Sequence, residues 1–176
     1  MPPYLTQMRA RGTQVVGARE KMAVVVQPVT PQLLAAVQAR VPIGGIAQAF
    51  RASLDQVWAF LRRHPGLRTD GHNVFLYHHD ASSAPGATVT VDFGVQVTRA
   101  FVGEGPVRCV ETPAGEVATM VHHGPYERMG VTHAAVQKWC ADNNRRIGDR
   151  SWEIYGDWSD DPAKLETTIC YLLALH

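Results

Sequence analysis

The sequence contains a loose internal repeat, in which the pattern of residues 41–79 returns in residues 122–158. Each copy has a proline before a helical stretch, then a glycine-bearing turn and a short apolar strand. Three pairs of identical residues align between the copies: Pro42 with Pro125, Trp58 with Trp139, and Tyr77 with Tyr155. A doubled unit usually packs as two pseudo-symmetric lobes, and the junction between the lobes is a natural cleft. The 176 residues suffice for one domain or for two small fused lobes.

Hydrophobic periodicity divides each copy into a helix and several strands. Apolar residues at steps of three and four predict a helix over residues 44–64, which ends near Pro65 and Gly66. A second helix is expected to begin at Gly124 and Pro125, because proline is tolerated in the first turn of a helix. Strands are expected over residues 24–41, 74–79, 89–98, 107–123, 151–158 and 166–175. The order strand, helix, strand, strand occurs twice, which predicts an α+β fold of tandem pseudo-symmetric β-α-β-β modules with a mainly antiparallel sheet and two long helices.

Residues 1–21 differ in character from the rest of the chain. They contain arginines and glycines without sustained periodicity. We therefore expect a poorly ordered N-terminal tail, with a short basic arm that touches a partner as the alternative. Residues 22–176 are expected to form the folded domain, with a first module over about 22–100 and a second over about 101–176.

The composition argues against several classes of function. A net charge of +1 gives no electrostatic reason to expect direct binding of nucleic acid. No apolar run reaches the roughly 18 residues that a membrane span requires, and the first residues lack the pattern of a signal peptide. The three widely spaced cysteines form no disulfide framework, so we expect a cytoplasmic protein in which they act as small buried hydrophobic residues.

No motif predicts a cofactor or a metal ion, and we expect neither. The stretch G-E-G at 103–105 is an isolated G-x-G, and the sequence has no P-loop and no G-x-S-x-G or H-E-x-x-H motif. The histidines at 78–79 and at 122–123 are adjacent, so the two members of each pair would point to opposite faces of a strand. Hydrogen bonding at strand ends is therefore their expected role.

Glu153 is the strongest candidate for a functional residue, because only one copy of the repeat places an acid on its central strand. In an alternating strand, Glu153 and Tyr155 face one side, toward the junction of the lobes. Trp152 and Ile154 face the other side, where we expect them to pack on the helix layer. A partly desolvated carboxylate is costly unless a cationic or hydrogen-bonding ligand compensates it, and aromatic rings add roughly 0.5–2 kcal/mol of cation–π attraction. The simpler alternative is that Glu153 is solvated or pairs with an arginine of residues 145–150.

Tyrosines are the best candidates for the walls of a ligand site, because a tyrosine side chain suits a half-wet pocket. Tyr77 and Tyr155 occupy matching places in the two copies, and Tyr126 stands at a helix start just after the His-Gly-Pro turn. Phe93 is a further candidate for an apolar wall. Core packing is the alternative for each of these residues, and it is the expected role of Phe75.

Several stretches, taken in order, resemble one family. They are F-L-Y-H-H-D at 75–80, V-T-V-D-F-G-V-Q-V at 89–97, V-A-T-M-V-H-H-G-P-Y-E-R-M at 117–129, W-E-I-Y-G-D-W at 152–158 and T-T-I-C-Y-L-L at 167–173. Over roughly residues 22–176 the chain resembles the GyrI-like small-molecule-binding family, also called the effector-binding domain of AraC-type and MerR-type transcription regulators.

The resemblance implies tandem modules around a central ligand groove, with a buried acid that meets cationic, lipophilic ligands, as in multidrug binding. Glu153 lies where that acid is expected. Tyr126 and Tyr155 match aromatic positions of the family motif, and Tyr77 and Phe93 match more loosely. Many relatives are fused to a helix-turn-helix domain, for which the stretch before the module is too short. The chain is therefore expected to be a stand-alone member that does not recognise operator DNA itself.

Three functions are compatible with this resemblance. The first is binding of amphipathic, cationic small organic molecules, in sensing, sequestration or regulation. The second is hydrolysis of cyclopropane-bearing toxic compounds, with Glu153 as general acid/base and Tyr155 or Tyr126 as hydrogen-bond donor to the carbonyl. The third is inhibition of a protein partner such as DNA gyrase, or service to a separate regulator.

Overall fold

The computed structural model describes residues 23–67, 71–79 and 88–175, so the tail expected at residues 1–21 lies outside the described chain. The strands are β1 (Val25–Val29), β2 (Leu33–Pro42), β3 (Asn73–His78), β4 (Thr88–Gln96), β5 (Val107–Glu111), β6 (Gly115–His123), β7 (Ile147–Tyr155) and β8 (Glu166–Leu173). The helices are α1 (Ile46–Arg63) and α2 (Met129–Asp142), each preceded by one 3-10 turn, Ile43–Gly45 and Tyr126–Arg128.

All of these strands join in one antiparallel sheet, in the order β1-β6-β8-β7-β3-β4-β2-β5. Exchanging the equivalent strands of the two halves gives the same order read from the opposite edge of the sheet. A pseudo-two-fold axis therefore passes between β3 and β7. This axis relates β2-α1-β3-β4 to β6-α2-β7-β8, which confirms the expected α+β fold of tandem modules. Each unit also receives an edge strand from the other half, because β1 pairs with β6 and β5 pairs with β2.

Both helices lie on the same face of the sheet. Helix α1 packs over β2 and β4, and α2 packs over β6 and β8, so the central strands β3 and β7 lie between them. The helix-facing side chains of these central strands are Phe75 and Tyr77 on β3 and Ser151, Glu153 and Tyr155 on β7. We call this strip between the two helices the seam.

The amphipathic pattern of α1 explains its position, and the proline that follows it explains its end. Its buried residues include Leu54, Val57 and Phe60, which pack into the core of the first half. The helix ends at Arg63, because Pro65 disfavours the helical conformation of the residue before it, and His64 accordingly has φ −125° and ψ 62°. The helix expected over residues 44–64 is thus confirmed.

The face of the sheet without helices is also apolar. Its buried cluster consists of Leu34, Ala36, Val74, Leu76, Val117, Trp152 and Cys170. The expectation that Trp152 and Ile154 pack on the helix layer is wrong, because Ile154 packs against this same cluster. Both helices cover the face that Glu153 points to, so the seam and the helix layer share one face of a continuous sheet.

Prolines and a bulge account for the strand boundaries that differ from expectation. The stretch 24–41 forms two strands, with Pro31 in their connection, and Pro28 is tolerated inside β1 because β1 is an edge strand. Strand β7 begins at Ile147, earlier than expected, and its pairing with β8 is irregular between Ile147 and Ser151. Neither helix of the described chain combines the length and the apolar character that a bilayer crossing requires.

Candidate functional site

Glu153 lies at the centre of the seam and is only 4% exposed. Its Oε2 atom accepts hydrogen bonds from the hydroxyl of Tyr77 at 2.8 Å and from that of Tyr155 at 2.7 Å. Its Oε1 atom lies 2.8 Å from Nε2 of His133, which belongs to α2. Side chains from β3, β7 and α2 therefore converge on one carboxylate.

The partners of His133 allow a consistent direction for these hydrogen bonds. The amide of Gln137 donates to the hydroxyl oxygen of Tyr171 at 3.0 Å, and this oxygen lies 2.8 Å from Nδ1 of His133. A tyrosine hydroxyl has one proton to donate. When Tyr171 donates to Nδ1, the imidazole is neutral and carries its own proton on Nε2, which donates to Glu153. In this neutral state the chain of donors starts at Gln137 and ends at the carboxylate.

When the imidazole of His133 is neutral, the carboxylate of Glu153 has no cationic partner. In that state all three neighbouring side chains donate to Glu153, so the carboxylate is the form whose lone pairs they satisfy. Arg145 pairs with Glu116 and Arg150 pairs with Asp149. Within the described ranges, no lysine or arginine lies within 4.0 Å of Glu153. The alternatives of a solvated Glu153 or an arginine-paired Glu153 are therefore wrong.

Aromatic rings flank the acid. The ring of Tyr155 lies 4.7 Å from that of Phe75 and 5.4 Å from that of Tyr126, measured between centroids. Phe50 of α1 covers Phe75 at 5.8 Å. Phe93, a predicted site residue, is fully buried and lies edge-on to Phe75 at 4.9 Å. Phe93 thus supports the floor of the seam, whereas Tyr126 and Tyr155 lie at its surface.

The tyrosines around the acid are held in their protonated form. Burial, with the charge of Glu153 as a further cause, raises the pKa of Tyr77 and of Tyr155 well above the ordinary tyrosine value. Burial also raises the pKa of Tyr126, and it raises the pKa of Tyr171 to about 12. These hydroxyls therefore remain hydrogen-bond donors at neutral pH, as the chain of donors requires.

The turn before α2 positions Tyr126. Gly124 has φ +118°, a conformation that glycine adopts without steric cost, and this lets the chain leave β6 and enter the 3-10 turn. Buried His122 holds the turn in place, with Nε2 lying 3.0 Å from the carbonyl oxygen of Pro125 and Nδ1 lying 2.8 Å from the hydroxyl of Thr132. His122, Gly124 and Pro125 together therefore fix the entry of the helix that carries His133.

The two halves provide different chemistry at equivalent places. Phe50 and His133 are each the fifth residue of their helix. Phe50 contacts Phe75 on β3, and His133 contacts Glu153 on β7. The strand registers relate Phe75 to Glu153 as well. An aromatic pair in the first half is thus replaced by an acid–histidine pair in the second, so one side of the seam is apolar and the other is polar.

The adjacent histidines 78 and 79 point to opposite faces of the sheet. His78 lies on the face without helices, where its Nε2 atom is 2.5 Å from Oδ2 of buried Asp92. Gln38 donates to the other oxygen of Asp92 at 3.0 Å. His79 lies at the end of the seam, with Nε2 2.6 Å from the hydroxyl of Ser151. Asp92 is therefore a second buried acid that lies away from the seam.

Two residues of the site could not be chosen from periodicity. His133 falls in the apolar stripe of α2, and Tyr171 belongs to an ordinary apolar strand. The repeat does carry a signal for His133, because aligning the two helix starts sets His133 against Phe50. Aligning the central strands sets Glu153 against Phe75. Two positions that are aromatic in the first half and polar at the equivalent places in the second half indicate that the two polar side chains contact each other.

The fold is similar to that of several solved structures. The C-terminal domain of EcmrR matches with a TM-score of 0.71 and 20% identity, over 86% of this chain and 97% of that chain. SAV2435 bound to tetraphenylphosphonium matches with a TM-score of 0.60 and 11% identity, over 87% and 94% of the two chains. A hydrolase from Listeria innocua matches with a TM-score of 0.62 and 14% identity, over 97% of each chain. At these identities the likeness establishes the fold alone.

The family follows from the sequence match. A search of curated proteins gives no match. The model of the GyrI-like small molecule binding domain matches residues 22–173, which is most of the chain. The fold as a whole agrees with that of the solved structures described above. The chain therefore belongs to the GyrI-like family of small molecule binding domains.

Proposed function

We propose that the protein binds amphipathic, cationic small organic molecules at the seam, in a sensing, sequestering or regulatory role. Glu153 provides the charge that attracts the ligand. Tyr155 and Tyr126 provide aromatic faces, and Tyr77 holds the carboxylate in place. The observation that carries this proposal is a buried carboxylate whose side-chain contacts are two tyrosine hydroxyls and one imidazole, with no lysine or arginine of the described residues paired to it.

The charge of Glu153 is the first step of the argument. Burying a carboxylate costs roughly several kcal/mol even after the surrounding protein relaxes, and hydrogen bonds offset only part of that cost. Neutral donors leave its net charge in place, whereas a cation in contact with the seam would neutralise it. The site therefore gains more from a positively charged ligand than from a neutral ligand of the same shape.

The occupied lone pairs of Glu153 narrow the class of cation. A carboxylate has about four acceptor positions, and three side chains already lie within hydrogen-bond distance of this one. A primary ammonium group needs several acceptors and would find few here. A delocalised or shielded cation, such as a phosphonium or a quaternary ammonium with aryl groups, needs none. Such a ligand also suits the rings of Tyr126 and Tyr155, each of which adds roughly 0.5–2 kcal/mol of cation–π attraction.

One structural neighbour gives independent support from analogy. SAV2435, which shares the fold, was solved bound to tetraphenylphosphonium, a cation of this class. Shared folds host many functions, so the analogy only ranks this ligand class above others. Tetraphenylphosphonium is therefore a suitable probe.

Isothermal titration calorimetry with tetraphenylphosphonium tests the proposal. We expect Glu153→Gln to weaken binding roughly 10- to 100-fold, because removing one unit charge at about 6 Å costs up to about 3 kcal/mol at an effective dielectric of about 20. Asp92→Asn is the matched control, since it neutralises the other buried acid on the opposite face. That variant should bind like the wild type. Equal affinity of the wild type and Glu153→Gln would overturn the proposal.

Hydrolysis is a second candidate, favoured by the contact between the carboxylate and the tyrosine hydroxyls. Glu153 could take a proton from water as general base. Once protonated, it no longer needs the hydroxyl of Tyr155 as a donor, and that hydroxyl could then stabilise an oxygen on which charge develops. A neighbour of the same fold is a hydrolase from Listeria innocua. Incubation with a cyclopropane-bearing compound checks this idea: turnover that Glu153→Gln abolishes would support it, and no turnover by the wild type would exclude that substrate.

A further inference from the structure

We infer that His133 sets the charge preference of the seam, because its protonated form places an internal cation against Glu153 where the cation of a ligand would otherwise act. This inference rests on the proposed function and specifies it further. His133 then allows cationic ligands when it is neutral and disfavours them when it is charged. It is a positioning and charge-setting residue that need not contact the ligand.

The first support is the position of the imidazole. His133 is the fifth residue of α2, and its counterpart in α1 is Phe50, which covers Phe75. The pseudo-symmetry thus places a titratable ring where the other half has a phenyl ring. Nε2 of His133 lies 2.8 Å from Glu153, and the side chain is 22% exposed, so protons from solvent can reach it.

The second support is that the network accommodates both charge states without moving heavy atoms. In the neutral state, Tyr171 donates to Nδ1 of His133. In the charged state, Nδ1 carries a proton and donates to the oxygen of Tyr171, which also accepts from Gln137 and has two lone pairs for these bonds. The hydroxyl proton of Tyr171 then points away from Nδ1 of His133. Nε2 donates to Glu153 in both states.

The charge of the seam therefore depends on His133. With a neutral imidazole the carboxylate of Glu153 is uncompensated, and with an imidazolium the pair is neutral overall. The other titratable groups at this pair are Tyr171 from β8, which contacts His133, and Tyr77 and Tyr155, which contact Glu153. His79, which directly follows β3, also interacts electrostatically with His133. Burial and the nearby guanidinium of Arg150 lower the pKa of His79, so this ring stays neutral to lower pH than an ordinary histidine.

Competition between a proton and a ligand cation has a reciprocal consequence. If protonation of His133 weakens binding of a cation by some factor, the bound cation must weaken protonation of His133 by the same factor. We expect this factor to be about tenfold, within the usual range of coupling between sites. The affinity for a permanent cation should therefore rise about tenfold from pH 5 to pH 8, while the affinity for a neutral molecule of similar shape should change little.

The experiment compares tetraphenylphosphonium with neutral triphenylphosphine oxide across that pH range. We expect His133→Gln and His133→Phe to bind the cation with a nearly flat pH profile. His79→Gln is the control for the other nearby histidine and should keep the steep profile. A profile that stays equally steep in His133→Gln would overturn the inference, because a group other than His133 would then cause the pH dependence.

A second measurement keeps the test independent of the variants. Nuclear magnetic resonance of the His133 ring in the wild type should show that bound tetraphenylphosphonium moves its protonation to lower pH by about one unit, which corresponds to the tenfold coupling. An unchanged titration with the cation bound would overturn the inference. Absence of any tetraphenylphosphonium binding at every pH would instead contradict the proposed function, so the two failures are distinguishable.

Discussion

Phe75 and Glu153 face each other across the central pair of strands and occupy equivalent places in the two halves of the fold. The pseudo-two-fold axis therefore passes between a phenyl ring and a carboxylate. A duplicated unit would by itself produce two equal surfaces that meet at the axis. Here one surface is apolar and the other carries an acid–histidine pair.

The contact between His133 and Glu153 should be measurable as a coupling energy. We expect His133→Phe and Glu153→Met to be destabilising singly, because each leaves buried donors or acceptors unpaired. The double variant should lose less than the sum of the two, by roughly 0.5–3 kcal/mol in the free energy of unfolding. Urea denaturation measures the cycle. A parallel cycle between Glu153→Met and Asp92→Asn, on opposite faces, should be additive within about 0.5 kcal/mol.

The hydroxyls that donate to Glu153 should contribute to stability. Tyr155→Phe and Tyr77→Phe each remove a donor to a buried carboxylate. We expect each to lower the free energy of unfolding by about 1–3 kcal/mol, as is usual for hydrogen bonds to charged groups. Tyr126→Phe is the matched control, because Tyr126 contacts the site through its ring. Its cost should be within about 0.5 kcal/mol, and a cost as large as that of Tyr155→Phe would contradict the assigned roles.

Alkaline pH should destabilise the protein by ionising its buried tyrosines. The pKa of Tyr171 is about 12 in the folded state, above its ordinary value of about 10. A group whose pKa is raised by folding stabilises the fold fully below the unfolded pKa, and this contribution is lost as pH rises through the folded pKa. The free energy of unfolding should therefore fall between about pH 10 and pH 12. Tyr171→Phe should make this decline shallower, and an unchanged slope would contradict the role of Tyr171.

The conformation of Gly124 gives a prediction with an internal control. At φ +118° a side chain is strained, although a Cβ atom there would meet no neighbour. We expect Gly124→Ala to cost about 1–2 kcal/mol and to weaken ligand binding by displacing Tyr126. Gly130 lies in α2, where a Cβ atom also meets nothing, so Gly130→Ala should be neutral or stabilising by up to about 1 kcal/mol. Thermal unfolding of the two variants compares them directly, and equal effects would contradict the strain at Gly124.

Much of the fold is readable from the sequence, because the repeat and the apolar stripe of α1 are local patterns. The sequence does not predict that β1 and β5 each pair with a strand of the other half, since strand alternation carries no information about which strand is the partner. The side of the sheet that Trp152 faces is also ambiguous. An apolar side chain suits either face when both faces of the sheet are buried.

The site is readable only in part. Glu153 stands out because only one copy of the repeat has an acid on its central strand, and the tyrosines stand out through the repeat. His133 needs the second alignment, that of the helix starts, before its match with Phe50 is visible. The role of Tyr171 depends on its distance to His133 in three dimensions, and nothing in the order of residues along β8 indicates it.

The position of a bound cation tests the central claim most directly. A crystal structure of the complex with tetraphenylphosphonium should place the phosphorus at the seam, within about 6 Å of the ring of Tyr155 or Tyr126 and beside the carboxylate of Glu153. The account would be contradicted by a cation that binds only elsewhere. One such place is the cleft between α1 and residues 104–107, lined by Phe60 and Arg63.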